Sequence, residues 1–123
     1  MTTPDEVPWS LTFHDGCGNG YRFWREPGGT ARFETSPVRR GQSSSGVYSG
    51  GEPRAGALPD ADAAVLWEQA GRLAGDATLH AAAREMGTGS FRLVAAASER
   101  EFRVRRCPAL DAFTDLAARL AGG

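Results

Sequence analysis

There is no lysine and no isoleucine among the 123 residues of this chain, and there are only two cysteines and two histidines. The missing lysine excludes a Schiff-base amine, a phosphate-loop lysine and a kinase-type lysine. An all-arginine basic set reads as the product of a GC-rich coding sequence, so a bacterial source is expected. Cys17 and Cys107 are too few for a disulfide framework, and no C-x2-C or H-x3-H pair points to structural zinc. No run approaches ~18 apolar residues, so no membrane-spanning helix is expected. Residues 1–10 carry two acids and no apolar run, unlike a secretory leader. Free thiols in a cytoplasmic protein are the resulting expectation.

Charge of one sign is also lacking. Fourteen basic residues face fifteen acidic ones, for a net charge of −1. That balance gives no bulk attraction to nucleic acid or to anionic lipid. No cofactor and no metal is implied by any motif.

The hydrophobic fraction is 41%, yet twenty of those residues are alanine, which buries little area. The core is therefore expected to lean on six Phe, three Trp and two Tyr, each able to bury ~150–250 Å². A length of 123 residues fits a single globular domain over 1–123.

Alternation predicts strands at three places near the start. Over 8–14, Trp9, Leu11 and Phe13 share one face. Over 21–26, Tyr21 and Phe23 do so, and over 30–38, Ala31 and Phe33. The turn-forming runs 15–20 and 27–29 join them into a three-strand meander.

Residues 39–59 break every pattern, with five Gly, four Ser and two Pro, and read as one long loop. Asp60 then reads as an N-cap. The helix it opens carries Val65, Leu66, Gln69, Ala70 and Leu73 near one stripe, with Trp67 at the border and Gly75 as its stop. A second helix is expected over 76–86, as a separate element or as one bent helix with the first. Residues 90–98 and 101–107 read as a hairpin turning at Glu99-Arg100, with Phe91, Leu93, Phe102 and Val104 inward. Asp111 opens a last helix bearing Phe113, Leu116, Ala117 and Leu120 on one face, and Gly122-Gly123 ends it. The expected fold is α+β: an antiparallel sheet of about five strands, a meander followed by a hairpin, with two or three helices packed on one face.

Four features invite chemistry. His14, Asp15 and Cys17 supply the minimum for thiol catalysis. Three residues within one tight turn seldom line up so that each orients the next, and the cluster reads as turn architecture. His80 is the other imidazole available to Cys17. Arg103 and Arg105, joined by Arg92, make a basic strand face that reads as solvated edge protection. The run from Ser43 to Gly51 has the Ser, Gly and Tyr vocabulary of antibody contact loops.

That run carries the functional reading. Ser43, Ser44, Ser45, Tyr48 and Ser49 are the candidate contact residues, with Arg39 and Arg40 as flanking anchors for carboxylates. Trp24, opposite Tyr21 and Phe23 in its strand, joins them as an exposed hot-spot type. The expected function is a non-catalytic protein-binding module of inhibitor, immunity or adaptor type, whose partner is another protein. The alternatives are a small thiol enzyme using Cys17 with His14 or His80, and a structural homo-oligomer.

Overall fold

The computed structural model describes residues 8–15, 19–25, 30–36, 54–81, 87–95 and 98–121. Six strands run β1 (Trp9–His14), β2 (Gly20–Arg25), β3 (Ala31–Ser36), β4 (Ala55–Leu58), β5 (Gly89–Ala95) and β6 (Ser98–Val104). Helix α1 (Asp60–Gly75) lies between β4 and β5 in the chain, and α2 (Pro108–Leu120) follows β6. The strands form one sheet in the order β4-β3-β2-β1-β5-β6. All neighbouring pairs are antiparallel. The fold is α+β, as the alternation predicts, with one strand more than expected.

One face of the sheet builds the core. Leu11 is aligned with Phe23 on β2 and Leu93 on β5, and Phe13 with Tyr21 and Phe91. Phe13 is fully buried. Its ring centroid lies 4.7 Å from Phe91 and 5.0 Å from Phe113 of α2, the latter edge-on. Such offset and edge contacts suit the ring quadrupoles. From α1, Ala63, Leu66, Ala70, Leu73 and Ala74 are buried at helical spacing. From α2 come Leu110, Phe113 and Ala117. Each large apolar side chain buried here contributes ~1.5–3 kcal/mol.

The many alanines have a use in this layer, because they let helix approach sheet closely. The extreme case is Gly89, where an added Cβ would lie 2.6 Å from Leu110 Cδ1. At the other end of the layer, Trp9 and Trp67 stack at 4.9 Å.

Two arginines pin the ends of α1 to the sheet. Arg25 reaches Asp60 at 2.8 Å, with its own side chain only 13% exposed. Arg100 donates to the Ala74 carbonyl at 3.0 Å. Acid in the first turn and cation at the last carbonyls both match the helix macrodipole.

Several sequence expectations are corrected. Residues 39–59 are not loop throughout, because 55–58 form the edge strand β4 against β3. Asp60 is the first helical residue and Pro59 holds the N-cap position, without a side-chain cap. Gly75 is the last helical residue, not a stop beyond it. The expected helix over 76–86 is absent from its described part, as is a bent continuation of α1. Asp76 instead caps a 3-10 turn, Ala77–Leu79, through Thr78 N–H. His80 then bridges to Val104. Residues 82–86 lie outside the described residues. The hairpin turns three residues earlier than Glu99-Arg100, since Ala95 already faces Ser98. Helix α2 starts at Pro108 with Cys107 before it, not at Asp111.

Candidate functional site

Strand geometry puts successive side chains on opposite faces, so the register that builds the core also builds a second surface. Ser10, Trp24 and Arg32 form one row across β1, β2 and β3, extended by Val94 of β5. Thr12, Arg22 and Glu34 form the next, extended by Arg92 and Glu101. Gly20, His14, Ser90 and Arg103 form a third. Both helices bury their apolar stripes in the core cluster on the other side. Among the described residues, nothing covers this face.

Its centre carries Trp24, half-buried, with the Arg22 guanidinium 4.8 Å from the ring centroid. A cation over an indole face is an attractive arrangement at that distance. Trp24 is thus on the outer face, as its place in the strand predicts, but sheltered by an arginine and not bare. Arg22 also lies 3.8 Å from Glu34.

Toward one end the face dips into a groove of about 530 Å³. Thr12, His14, Ser90, Arg92, Glu101 and Arg103 line it, with Phe91 and Phe102 of the core layer contributing to its floor. Its shape follows from residue size. His14 faces Gly20, and its ring lies over that glycine so closely that an added Cβ would come within 3.2 Å of His14 Nε2. The imidazole therefore leans toward β2, and Ser90 is half-buried beside it.

Arg92 is held across the opposite wall, 2.7 Å from Glu99 and 3.7 Å from Glu101. The hydrogen bond to Glu99, then that carboxylate's charge, raises the Arg92 pKa further above its ordinary value. The backbone of Arg103 is fixed as well. Its carbonyl accepts from Ala81 N–H at 2.9 Å, so the segment after the 3-10 turn clamps the end of β6.

The sequence-derived candidates separate in space. Arg92 and Arg103 do share a face and a groove, as their alternation predicts. Arg105 does not join them; it lies beyond the strand end, where its guanidinium bonds Thr78 carbonyl. His80 is committed to structure: Nε2 donates to Leu73 carbonyl at 2.8 Å, and the ring stacks on Phe102 at 5.1 Å. Asp15 accepts from Asn19 N–H at 2.9 Å, the turn role expected of it. Cys107 is a free, half-buried thiol. Cys17, Arg39, Arg40, Ser43, Ser44, Ser45, Tyr48 and Ser49 lie outside the described residues. Among the described residues, no group of three or more His, Cys, Asp or Glu is placed to hold a metal ion. No described helix is long and apolar enough to cross a membrane.

Sequence reasoning placed Thr12 on the outward side of its own strand with Ser10 and His14, but missed Ser90 and Arg32 as members of the same surface. The signal was available only as a pairing, because neither of the two stands out until its cross-strand neighbours are known. No family model, curated protein or solved structure matches the chain.

Proposed function

We propose that this chain is a non-catalytic protein-binding module of inhibitor, immunity or adaptor type, and that the uncovered face of its sheet is the main contact surface. One observation carries this reading: a broad strand surface with an arginine-sheltered tryptophan at its centre and a groove at its end. Tryptophan and arginine are the residue types that dominate interface energetics. Flanking hydroxyls and charges resemble the polar rim of a protein interface. The run from Ser43 to Ser49, with Tyr48, Arg39 and Arg40, belongs to the proposal as a second contact on its composition alone. The partner is another protein.

The thiol-enzyme alternative gains nothing, since His80 is engaged by a backbone carbonyl. The homo-oligomer alternative has a specific feature in its favour. Thr35 N–H bonds Arg54 carbonyl across the β3–β4 pair, so the alternation of antiparallel ladders turns the Ala55 and Ala57 backbone groups outward. Both alanines are exposed, and small uncharged residues do little to guard an edge.

The test is a capture experiment from native extract with three tagged proteins: wild type, the double variant Trp24→Ala/Arg32→Ala, and Arg72→Ala on the exposed side of α1. A partner retained by wild type and by Arg72→Ala, and lost by the double variant, supports the open face. A partner lost only by Arg72→Ala overturns it. Concentration-dependent sedimentation of the protein alone, abolished by Ala57→Pro, would favour the oligomer instead.

A further inference from the structure

We infer that β4 is a self-pairing edge, which takes the β4 strand of a second copy of this chain in an antiparallel register centred on Gly56. The inference goes beyond the open-face reading and does not rest on it. The described sheet has two edges, β4 and β6. Hydrogen bonds from Ala81 N–H to Arg103 carbonyl and from Arg105 N–H to Leu79 carbonyl close one end of β6. Glu99 and Glu101 are exposed along the rest of that strand, and charged edges resist pairing. At β4 the outward backbone groups are those of Ala55 and Ala57, and no described strand takes them.

Hydrogen bonding and charge select the same register. With Gly56 opposite its own mate, Ala55 meets Ala57 of the second copy and Ala57 meets Ala55, and each pair exchanges two backbone hydrogen bonds. Sliding one strand by two residues breaks this. In one direction Ala57 faces its own mate and Ala55 faces Pro59, which has no N–H to give. In the other, Ala55 faces its own mate and Ala57 falls opposite a residue beyond the strand. Arg32 and Glu34 are exposed and lie beside Ala57 and Ala55 in the β3–β4 register. Each row across the Gly56-centred junction therefore runs Arg32, Ala57, Ala55, Glu34, with opposite charges at its ends and only methyl groups between. The Cα atoms of those ends are three strand spacings apart, ~14 Å, within the combined reach of the two long side chains. The slid registers set Arg32 against Arg32 or Glu34 against Glu34, and like charges disfavour a pairing.

On the core side, the half-buried Phe33 ring leans over Gly56, where an added Cβ would lie 3.1 Å from Phe33 Cε1. Pairing brings two such rings toward each other over two glycines and covers apolar area left open in one copy. Because β6 is closed and charged, association stops at two copies and does not grow into a filament. The two-fold keeps both open faces on one side of the joined sheet, with Trp24 two strands from the junction. Self-pairing therefore displaces the open-face reading only where no partner is captured.

The experiment is sedimentation of the intact protein over a range of concentrations at low ionic strength. Wild type is expected to pass from one copy to two and no further. Ala57→Pro, which removes an exchanged N–H, should remain a single copy. Arg32→Glu and Glu34→Arg should each weaken pairing by about fivefold to tenfold, since like charges then end every row. Mixed in equal amounts, these two variants should pair with each other, because every row again carries one charge of each sign. Arg72→Glu, the same change of charge on the exposed side of α1, should leave pairing unchanged. Circular dichroism verifies that the variants fold, and the charge variants decide the matter if Ala57→Pro does not fold. A single copy at every concentration, association beyond two copies, indifference to a folded Ala57→Pro, or a mixture that pairs no better than either variant alone overturns the inference. If pairing fails while Trp24→Ala/Arg32→Ala still abolishes capture of the partner, the open face stands and the self-pairing edge falls.

Discussion

The two faces of this sheet are made by the same strands and obey opposite rules. On the covered face, Trp9, Leu11, Phe13, Phe23, Phe91 and Leu93 are buried together under two helices. On the open face, the residues between them are Ser10, Thr12, Arg22, Trp24 and Arg92, with ion pairs in place of packing. Antiparallel sheets tolerate this asymmetry, since one face can stay solvated. The lesson is that substitutions on the two faces of one strand should differ sharply in their effect on stability. Odd-numbered positions of β1 are buried in the core, and even-numbered ones lie on the opposite face, half-buried or exposed.

The sharpest test of that division is a pair of neighbours in one strand. Phe13→Ala removes a fully buried ring in contact with Tyr21, Phe91 and Phe113, and should lower unfolding free energy by ~3–5 kcal/mol. Thr12→Ala, one residue away on the open face, should stay within ~0.5 kcal/mol. Urea denaturation of both variants checks this, and comparable losses would break the distinction between the faces.

The helix–sheet spacing gives the next effect. Gly89→Ala drives a Cβ into Leu110 Cδ1 and should destabilise by ~1–3 kcal/mol through overpacking. A thermal midpoint identical to wild type would show that α2 is not seated against β5. Smaller again is Arg25→Ala, which removes the pair with Asp60. Its cost should be ~1 kcal/mol, the upper end for a pair with one exposed partner. High salt should reduce the difference between this variant and wild type.

The smallest stability effect belongs to the open face itself. Trp24→Ala should unfold near wild type, while binding to the captured partner weakens by ~1–2 kcal/mol. Calorimetry on both processes separates them. A large stability loss without a binding change would make Trp24 a packing residue and remove the centre of the proposed contact surface.

Where the sequence was legible, a period was present. Strict alternation from Trp9 to His14 and from Tyr21 to Arg25 fixed strand, face and core membership together. The edge strand β4 escaped because Ala55-Gly56-Ala57 offers no large side chain to alternate, and only Leu58 reaches the core. The stretch after Gly75 misled in the opposite direction. Its Ala and Leu spacing suits a helix. Asp76, however, takes Thr78 N–H, and the backbone from Leu79 to Ala81 bonds Arg105 and Arg103 at the edge of β6. A sheet edge in need of partners outcompeted local propensity. The site was legible only in pieces. Arg92 and Arg103 could be placed on one face, but the groove is lined by residues of β1, β5 and β6 together, and no local pattern announces that.

The most direct measurement is site-specific photo-crosslinking in native extract. A crosslinking amino acid is placed at Arg32 on the open face, and separately at Arg72 on α1, whose side chain is exposed and, among the described residues, paired only with Glu68 of its own helix. A discrete protein adduct formed from position 32 and absent from position 72 is the predicted result. An adduct from position 72 alone would contradict the claim that the uncovered face of the sheet is where this protein meets its partner.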